Sequence, residues 1–457
     1  MISFVLYILV LSVNFVVTKD IVLCENKVDT CACRFDHDND EDFLLLNVDC
    51  SFTHHNVLQN NYTLPRTIHT LTASSNNINN LTKTNMLQSS TMKKLILNKN
   101  NITNIEVNAL NLPNLAHLDL SDNVLEQIDP EIFKNVKKLV HLNLANNRFT
   151  MIADMAFHHL GVLEEIVLSG NDIGASLETT SLFQRHGLAI HEGIKRLSIA
   201  NINLNVVHDN LLNAAYDLRY LKISKNNITT IPELPFTLEY LDFSDNPITS
   251  LYFEDFSNLL ALKELQLNNL KIKEVPEFVF VPLKALKKLG LERNADMTKF
   301  SPLAFGREVL DDADEFVLEE LSLYGSRLTT LSDQLEVPFG QLRRIDLQGN
   351  RWKCDCKILW IRNLQIEPQD YDKLRCYQPV KLYNTKIFNL KVENFQCGKE
   401  SRFPLATVAA IAFFLIFGSI AVWFFVFIPR YQSRGHTLQN YIYPSTMYNL
   451  VPTERIN

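Results

Sequence analysis

The chain has 457 residues, 46% of them hydrophobic, and a formal net charge of -7 at pH 7. This mild acidity argues against nucleic acid or an anionic lipid surface as the main partner, because both select basic surfaces. In other respects the composition is that of an ordinary globular protein, so the patterning of the residues has to indicate the function.

The chain begins with an apolar run that predicts a secretory signal peptide. Residues 1–18, MISFVLYILVLSVNFVVT, contain no charged side chain, and Lys19 and Asp20 end the run. This length fits a secretory h-region better than a membrane span, and Val16 and Thr18 form a passable cleavage site. Because no basic residue precedes the run, an uncleaved anchor is the alternative.

Eight cysteines lie in two groups of four: Cys24, Cys31, Cys33 and Cys50, then Cys354, Cys356, Cys376 and Cys397. An even number in an oxidising compartment favours disulfides, and each group allows three pairings. The side chains of the adjacent Cys354 and Cys356 diverge, so each is expected to bond a more distant cysteine. A zinc site or a redox pair is the alternative, but no histidine lies between Cys354 and Cys397 and no C-x-x-C motif is present.

Between the two groups the pattern L-x-x-L-x-L-x-x-N-x-L recurs. It is clear in LAHLDLSDNVL from Leu115 and in LVHLNLANNRF from Leu139. Other copies start at Ile68, Met92, Leu163, Ile194, Leu218, Leu238, Leu262, Leu286, Leu318 and Leu342. The commonest spacing between starts is 24 residues, and such a period indicates a solenoid of stacked coils.

This motif and its period resemble the extracellular leucine-rich repeat family over about three quarters of the chain. The resemblance implies an α/β solenoid, a horseshoe with short parallel strands on its concave face and disulfide-bonded caps. Alternation in L-x-L predicts a strand that buries both leucines, and the asparagine is expected to bond neighbouring turn backbone. Ile128, Ile132, Phe133 and Val136 are expected to close the core from the convex side.

The resemblance also implies how the caps are built. Family caps pair the first cysteine with the third and the second with the fourth, which gives Cys24–Cys33, Cys31–Cys50, Cys354–Cys376 and Cys356–Cys397. Trp352 is expected to cover the end of the core. Asp355 is expected to cap a short helix whose inner face comprises Ile358, Leu359, Ile361 and Leu364.

Some repeats depart from the motif. The asparagine position holds Ile202, Leu270 and Ser326, so the asparagine series is expected to be interrupted there. Two long spacings imply extra loop in residues 174–193 and 297–317, whereas the short repeat from Leu218 is expected to turn sharply without a helix.

Residues 404–428, PLATVAAIAFFLIFGSIAVWFFVFI, predict one transmembrane helix. They carry no charge and exceed the ~20 residues that a membrane span needs, and Arg430 follows them. With the signal peptide, this predicts a type I single-pass protein of the plasma membrane, its ectodomain outside. The expected segments are 1–18 signal peptide, 19–67 N-terminal cap, 68–353 about twelve repeats, 354–399 C-terminal cap, 404–428 membrane span and 429–457 cytoplasmic tail.

Sequence motifs suggest modifications at both sides of this span. Four sequons predict N-glycosylation of an outer segment, at Asn61, Asn80, Asn101 and Asn227. The tail is too short for a kinase or a Toll-type signalling domain. Tyr448 to Val451, YNLV, resembles a tyrosine-based endocytic sorting signal, and the tail tyrosines are candidates for phosphorylation: Tyr431, Tyr441, Tyr443 and Tyr448.

No motif of an enzyme occurs, so neither catalysis nor a cofactor is expected. The acidic residues Asp311, Asp312, Asp314 and Glu315 lack the glycine and terminal glutamate of a calcium loop, which favours a solvated insertion. His117 and His141 occupy equivalent positions in consecutive coils, about 4.8 Å apart by sheet spacing. Sensing of acidification by this pair is the alternative to two surface histidines without a pH role.

Side chains beside the strand leucines are expected on the concave face. Just before the second leucine, successive coils carry Tyr220, Tyr240, Glu264, Lys288, Glu320 and Arg344. The last four alternate in charge and are expected to pair across strands. Tyr220 and Tyr240, with Lys222 and Asp242 beside them, are therefore predicted to be the least self-satisfied patch and a protein-contact site. The alternative is that they are ordinary exposed strand tyrosines without a binding role.

These features together favour a cell-surface recognition or adhesion protein, or a co-receptor. Its partner would be a protein ligand or another cell-surface protein. The alternative is a structural or trafficking-linked surface protein that binds no soluble ligand. Repeats specify the scaffold, while the variable polar positions select the partner.

Overall fold

The computed structural model describes residues 21–22, 24, 31–37, 44–53, 62–183, 188–208, 210–395, 405–423 and 425. The chain divides into two compact units, Met1–Phe395 and Gln396–Asn457. The first unit contains the repeats, and the described residues of the second form one helix.

One continuous sheet of fourteen strands runs through the described part of the first unit. In spatial order its strands are Ala32–His37, Leu44–Asp49, Ile68–Thr72, Lys94–Ile96, His117–Asp119, His141–Asn143, Glu165–Val167, Arg196–Ser198, Tyr220–Lys222, Tyr240–Asp242, Glu264–Gln266, Lys288–Gly290, Glu320–Ser322 and Arg344–Asp346. The first pair is antiparallel, and every later pair is parallel. A strand lies at each predicted repeat start, which is the solenoid that the period predicts.

The strands form because each L-x-L triplet places two leucines on one side. Leu118 and Leu120 are fully buried, whereas Asp119 between them is only half-buried. The same alternation repeats coil after coil, so the buried leucines form one continuous core. At about 25 cal/mol per Å² of apolar surface, this stacking is the main stabilising term of the fold.

The asparagines at the ninth motif position form a buried hydrogen-bonded series. Asn147 is representative: its Nδ2 donates to the carbonyls of Leu120 and Leu144 at 3.0 Å, and its Oδ1 accepts from the amide of Leu125 at 3.1 Å. One side chain therefore satisfies backbone groups of two coils, as the motif predicts. Where Ser326 replaces asparagine, only a 3.3 Å bond from its Oγ to the carbonyl of Leu291 is observed among the described residues.

The return halves of most coils, opposite the sheet, contain short helices or paired two-residue strands, whereas the described residues of the coils from Ile194 and Leu218 form only turns and loops there. The 3₁₀ helices of the first unit are Lys83–Asn85, Pro130–Asn135, Ile152–Asp154, Glu254–Phe256, Ala313–Glu315, Asp333–Leu335, Cys356–Asn363, Val380–Leu382, Ile387–Asn389 and Val392–Phe395. Its α-helices are Gly174–Leu177, Glu308–Asp311, Glu336–Gly340 and Pro368–Tyr371. The strand pairs are Ile21–Val22 with Tyr62–Thr63, Asn80–Leu81 with Asn104–Ile105, Leu87–Gln88 with Leu110–Asn111, and Glu274–Val275 with Lys299–Phe300.

The α/β class expected from the resemblance therefore overstates the helix content of the described coils. Between Ile68 and Arg351 the return halves contain 3₁₀ helices of three to six residues and α-helices of only four or five residues. The return half still closes the core as predicted, because Ile128, Ile132, Phe133 and Val136 are all buried. The two predicted insertions, 174–193 and 297–317, contain the helices Gly174–Leu177 and Glu308–Asp311.

Disulfides close the N-terminal end of the solenoid. The antiparallel pair Ala32–His37 and Leu44–Asp49 extends the sheet beyond the first repeat. Cys24 is bonded to Cys33 and Cys31 to Cys50, which is the pairing that the family resemblance implies. Cys50 is fully buried, so this cap is tied directly to the core.

The C-terminal end is closed by Trp352 and the residues that follow it. Trp352 is fully buried, and its Nε1 donates to the carbonyl of Leu347 at 3.0 Å. Asp355 caps the 3₁₀ helix Cys356–Asn363 by accepting from the amide of Lys357. Cys354 is bonded to Cys376. Cys356 is also in a disulfide, and its expected partner, Cys397, lies outside the described residues.

The helix of the second unit, Leu405–Val422, has the sequence LATVAAIAFFLIFGSIAV and no charged side chain. Its 18 residues extend about 27 Å at 1.5 Å per residue, slightly less than the ~30 Å hydrocarbon core. Within the described ranges, no helix is long and apolar enough to cross a membrane. The span predicted at 404–428 extends past the described residues at both ends and stays a prediction.

Candidate functional site: a contact column on the sheet

Six side chains on consecutive strands form an unbroken series of contacts across the solvent-facing side of the sheet. They occupy the position just before the second leucine, and we call them the column: His117, His141, Glu165, Arg196, Tyr220 and Tyr240. The strands are parallel and in register, so equivalent positions of successive coils lie directly beside one another.

The column ends in a stacked pair of tyrosines. The rings of Tyr220 and Tyr240 are 4.1 Å apart between centroids and nearly parallel, at 6°. The guanidinium carbon of Arg196 lies 4.2 Å from the centroid of the Tyr220 ring, within the range of a cation–π interaction. Burial, followed by the charge of Asp242, raises the pKa of the Tyr240 hydroxyl, which therefore stays protonated and able to donate.

The other half of the column is polar. The rings of His117 and His141 are 5.7 Å apart between centroids, and Nδ1 of His141 lies 2.9 Å from Oε2 of Glu165. Nε of Arg196 lies 3.5 Å from the second oxygen of the same carboxylate. Glu165 thus joins the histidine pair to Arg196 and, through it, to the tyrosines.

The prediction that Tyr220, Tyr240, Lys222 and Asp242 are the least self-satisfied patch is wrong. The tyrosines stack on each other, and Nζ of Lys222 lies 3.8 Å from Oδ2 of Asp242. Asp242 is itself buried and accepts from the amide of Ser244 at 3.0 Å. Register explains the difference, because a parallel sheet places equivalent positions of successive coils side by side, and here that position holds tyrosine in two consecutive coils.

The expected alternation of charge pairs beyond the tyrosines is only partly observed. Lys288 lies 3.6 Å from Glu320, as predicted. Glu320 pairs on its other side with Arg343, however, where Arg344 was expected. Glu264 accepts a hydrogen bond from Gln266 at 3.0 Å. Glu264 thus bonds a neighbour on its own strand, and Glu320 pairs with the residue just before the expected partner on the next coil.

Sequence reasoning missed Arg196, the residue that joins the two halves of the column. The signal was available, because Arg196 stands at the same motif position in the repeat from Ile194 as Tyr220 does in the next. The surface predicted from the sequence begins at Tyr220, so it does not include Glu165 and Arg196.

The other predicted sites are distributed as follows. Asn80, Asn101 and Asn227 are exposed, whereas Asn61, Tyr448 and Val451 lie outside the described residues, as do the other tail tyrosines. Asp312, Asp314 and Glu315 are exposed, in keeping with a solvated insertion.

His117 gives the column a pH dependence. Burial, and next the charges of Lys94 and His141, lower the pKa of His117 below 6.5, although Asp119 and Glu165 act in the opposite direction. The unfolded chain therefore binds a proton at this position more readily than the folded chain. The stability due to neutral His117 is complete above about pH 6.5 and is lost as pH falls through the folded-state pKa.

We expect His117→Asn to weaken the pH dependence of stability. The midpoint of urea unfolding should fall less between about pH 7.5 and pH 5.5 in the variant than in the wild-type chain, because the group that resists protonation is gone. Equal losses in the two proteins would contradict the prediction. His191→Asn is the control, because His191 is outside the sheet.

The parallel ladder, the buried leucines and the asparagine series together define a leucine-rich repeat solenoid with an exposed, contact-rich sheet face. Two family models match the chain: "Leucine rich repeat" over residues 113–173 and "Leucine Rich Repeat" over residues 237–259. These matches show leucine-rich repeats in both segments, and the chain is similar to proteins of the extracellular leucine-rich repeat family.

Individual relatives agree with this assignment. The chain is 27% identical to chaoptin of Tribolium castaneum over 61% of this chain and 36% of chaoptin. It is 29% identical to Tsukushi of Mus musculus over 48% of this chain and 67% of Tsukushi. It thus spans about a third of chaoptin's length.

A solved structure shows the same fold. A chain from the octameric complex of latrophilin 3, Unc5D and the leucine-rich repeats of FLRT2 is similar to this chain with a TM-score of 0.50 and 18% identity. The match covers 80% of this chain and 99% of that one.

Proposed function

We propose that this chain is a cell-surface recognition protein that binds a protein ligand through the column on its sheet. The observation that carries the proposal is the preassembled stack of Arg196, Tyr220 and Tyr240. Arginine and tyrosine are enriched among the residues that dominate protein interfaces. The similar solved chain comes from a multiprotein complex, which supports a protein as the partner.

The column suits binding because its side chains are ordered before a ligand arrives. Ordering a rotamer-rich side chain at an interface costs about 0.5–1.5 kcal/mol, and stacking has already met that cost for the tyrosines. Their rings are half-buried, which leaves part of each side chain accessible. The phenol of Tyr240 and the guanidinium of Arg196 supply donors, so a ligand with acceptor groups around an apolar centre fits best.

The proposal includes anchoring in the plasma membrane by residues 404–428, a signal peptide at 1–18 and glycans at the sequons. In that arrangement the column faces the extracellular space. Adhesion and co-receptor activity both use such a surface. Binding, and not catalysis, is the activity that the column supports.

The double variant Tyr220→Ala/Tyr240→Ala is expected to weaken ligand binding by roughly 30-fold or more, since a central hot spot contributes about 2 kcal/mol. The measurement has two arms. Cells displaying the full chain are tested for aggregation, and the same cells are probed with an array of purified extracellular proteins.

Tyr216→Ala/Tyr252→Ala is the matched control, because both tyrosines are exposed and lie outside the sheet. The control should bind as the wild-type chain does. Unchanged binding by the column variant at equal surface level would refute the proposed contact site. Failure of the wild-type chain to aggregate cells or to bind any protein of the array would favour a structural or trafficking-linked role.

A further inference from the structure

Three side chains from two consecutive coils converge on the return half of the solenoid, away from the sheet. Glu131, His158 and His159 each offer a ligand atom, and these atoms all lie within 4.8 Å of one another. We propose that they form a binding site for a divalent transition-metal ion of the zinc(II) class. This site is independent of the proposed ligand-binding column.

The local backbone fixes the three side chains on one patch. Glu131 lies in the first turn of the 3₁₀ helix Pro130–Asn135, where its amide donates to Oδ1 of Asp129 at 2.9 Å. His158 and His159 form a turn between two buried residues, Phe157 and Leu160. The amide of Leu160 donates to the carbonyl of Phe157 at 2.9 Å, which closes this turn.

The contacts within the patch already approach those of a metal site. Nε2 of His159 lies 2.9 Å from Oε1 of Glu131, and the rings of His158 and His159 are 4.2 Å apart between centroids. The hydrogen bond with His159 lowers the pKa of Glu131, so this carboxylate is ionised at neutral pH. A metal ion would replace the shared proton between His159 and Glu131.

Two imidazoles and a carboxylate are the donor set of many zinc sites. Zinc binds such ligands at about 2.0–2.2 Å in a tetrahedron, which places neighbouring ligand atoms roughly 3.4 Å apart. The widest separation in the patch has to close by little more than about 1 Å, which small rotations of exposed side chains can supply. The nitrogen donors disfavour calcium and magnesium, which prefer oxygen.

One charged neighbour opposes the metal. Nζ of Lys134 lies 3.8 Å from Oε2 of Glu131, but the Lys134 side chain is 60% exposed and can rotate into solvent. With three protein ligands, a tetrahedral ion keeps one open position for water or for a donor from a partner. The ion would also tie the coil of Glu131 to the next, since the ligands lie 27 and 28 residues apart.

A second set of two histidines and one glutamate in this region differs from the proposed metal site in its geometry. His117, His141 and Glu165 also come from consecutive coils, but each occupies its own strand. His117 and Glu165 are two strands apart, roughly 9.6 Å by sheet spacing. Among the described residues, only the ligand atoms of Glu131, His158 and His159 form a group of three within 4.8 Å of one another, so the sheet trio is not such a group. They share the residue types of the proposed site without its geometry.

The proposal is tested by titrating the purified full-length chain with zinc chloride at about pH 7.4 in a calorimeter. We expect one site per chain that is weakened at least about tenfold in each of Glu131→Gln, His158→Asn and His159→Asn. The control His117→Asn/His141→Asn should retain that site unchanged. Cobalt(II) should give the absorption of a tetrahedral complex in the control and not in the three variants.

Because all three positions are at least partly exposed, the variants are expected to fold, and thermal unfolding without metal checks this. Absence of zinc binding overturns the proposal. So does binding that the three variants leave unchanged, because the twelve histidines of the chain would then hold zinc elsewhere. Loss of the site in the histidine control would likewise assign the ion to the sheet face.

Discussion

Trp352→Ala is expected to lower the free energy of unfolding by about 3–5 kcal/mol, the largest effect of any single change considered for this chain. Trp352 is fully buried at the point where the last coil meets the C-terminal cap. Truncation leaves a cavity at the end of the leucine core and removes the bond from Nε1 to the carbonyl of Leu347. Beyond the last coil of a solenoid, no further coil is present to cover the end of the leucine core.

The measurement is urea unfolding of the full chain with its disulfides intact, followed by circular dichroism. Val380→Ala is the control, because Val380 belongs to the same cap but is 89% exposed. The control should stay within about 0.5 kcal/mol of the wild-type chain. If Trp352→Ala were equally mild, the cap would not depend on this side chain, and its disulfides, at Cys354–Cys376 and at Cys356, would have to hold it.

How much of the fold the sequence predicts depends on how far apart in the chain the interacting residues lie. Leu118 and Leu120 could be assigned to a strand because alternation over three residues is enough to define a buried face. Asn147 could be assigned to the turn because the same residue type returns at the same motif position. The cysteine pairing came from the family resemblance, since spacing alone left three choices for each group.

The candidate sites were predicted less well because they depend on which side chains become neighbours across coils. The motif aligns Glu165 and Arg196 with Tyr220, but the alignment alone does not show which of these side chains contact one another. Glu131 and His159 lie outside the repeat motif, so no pattern signals that the period brings them together. Local sequence patterns predict the repeat scaffold, whereas the register of neighbouring coils determines which side chains meet on its surface.

Both proposed sites depend on the register of neighbouring coils, because each is built from side chains of more than one coil. The column is a series of side chains at one motif position on the sheet, and the metal patch is a meeting of two return segments. The two surfaces lie on opposite halves of the coil, so a substitution in one is not expected to disturb the other. Any change that shifts one coil against the next would affect both at once.

Such a shift is what the asparagine series prevents, and Asn147→Ala is expected to cost about 2–4 kcal/mol. The change leaves the carbonyls of Leu120 and Leu144 and the amide of Leu125 without the side chain that satisfies them in a buried turn. Asn135→Ala is the matched control, since Asn135 makes an exposed bond to Asn108 and should change stability by less than about 0.5 kcal/mol. Urea unfolding of both variants decides the matter. Equal, small losses would mean that the stacked leucines hold the register of the coils without their asparagines, and the column would then owe its alignment to the core alone.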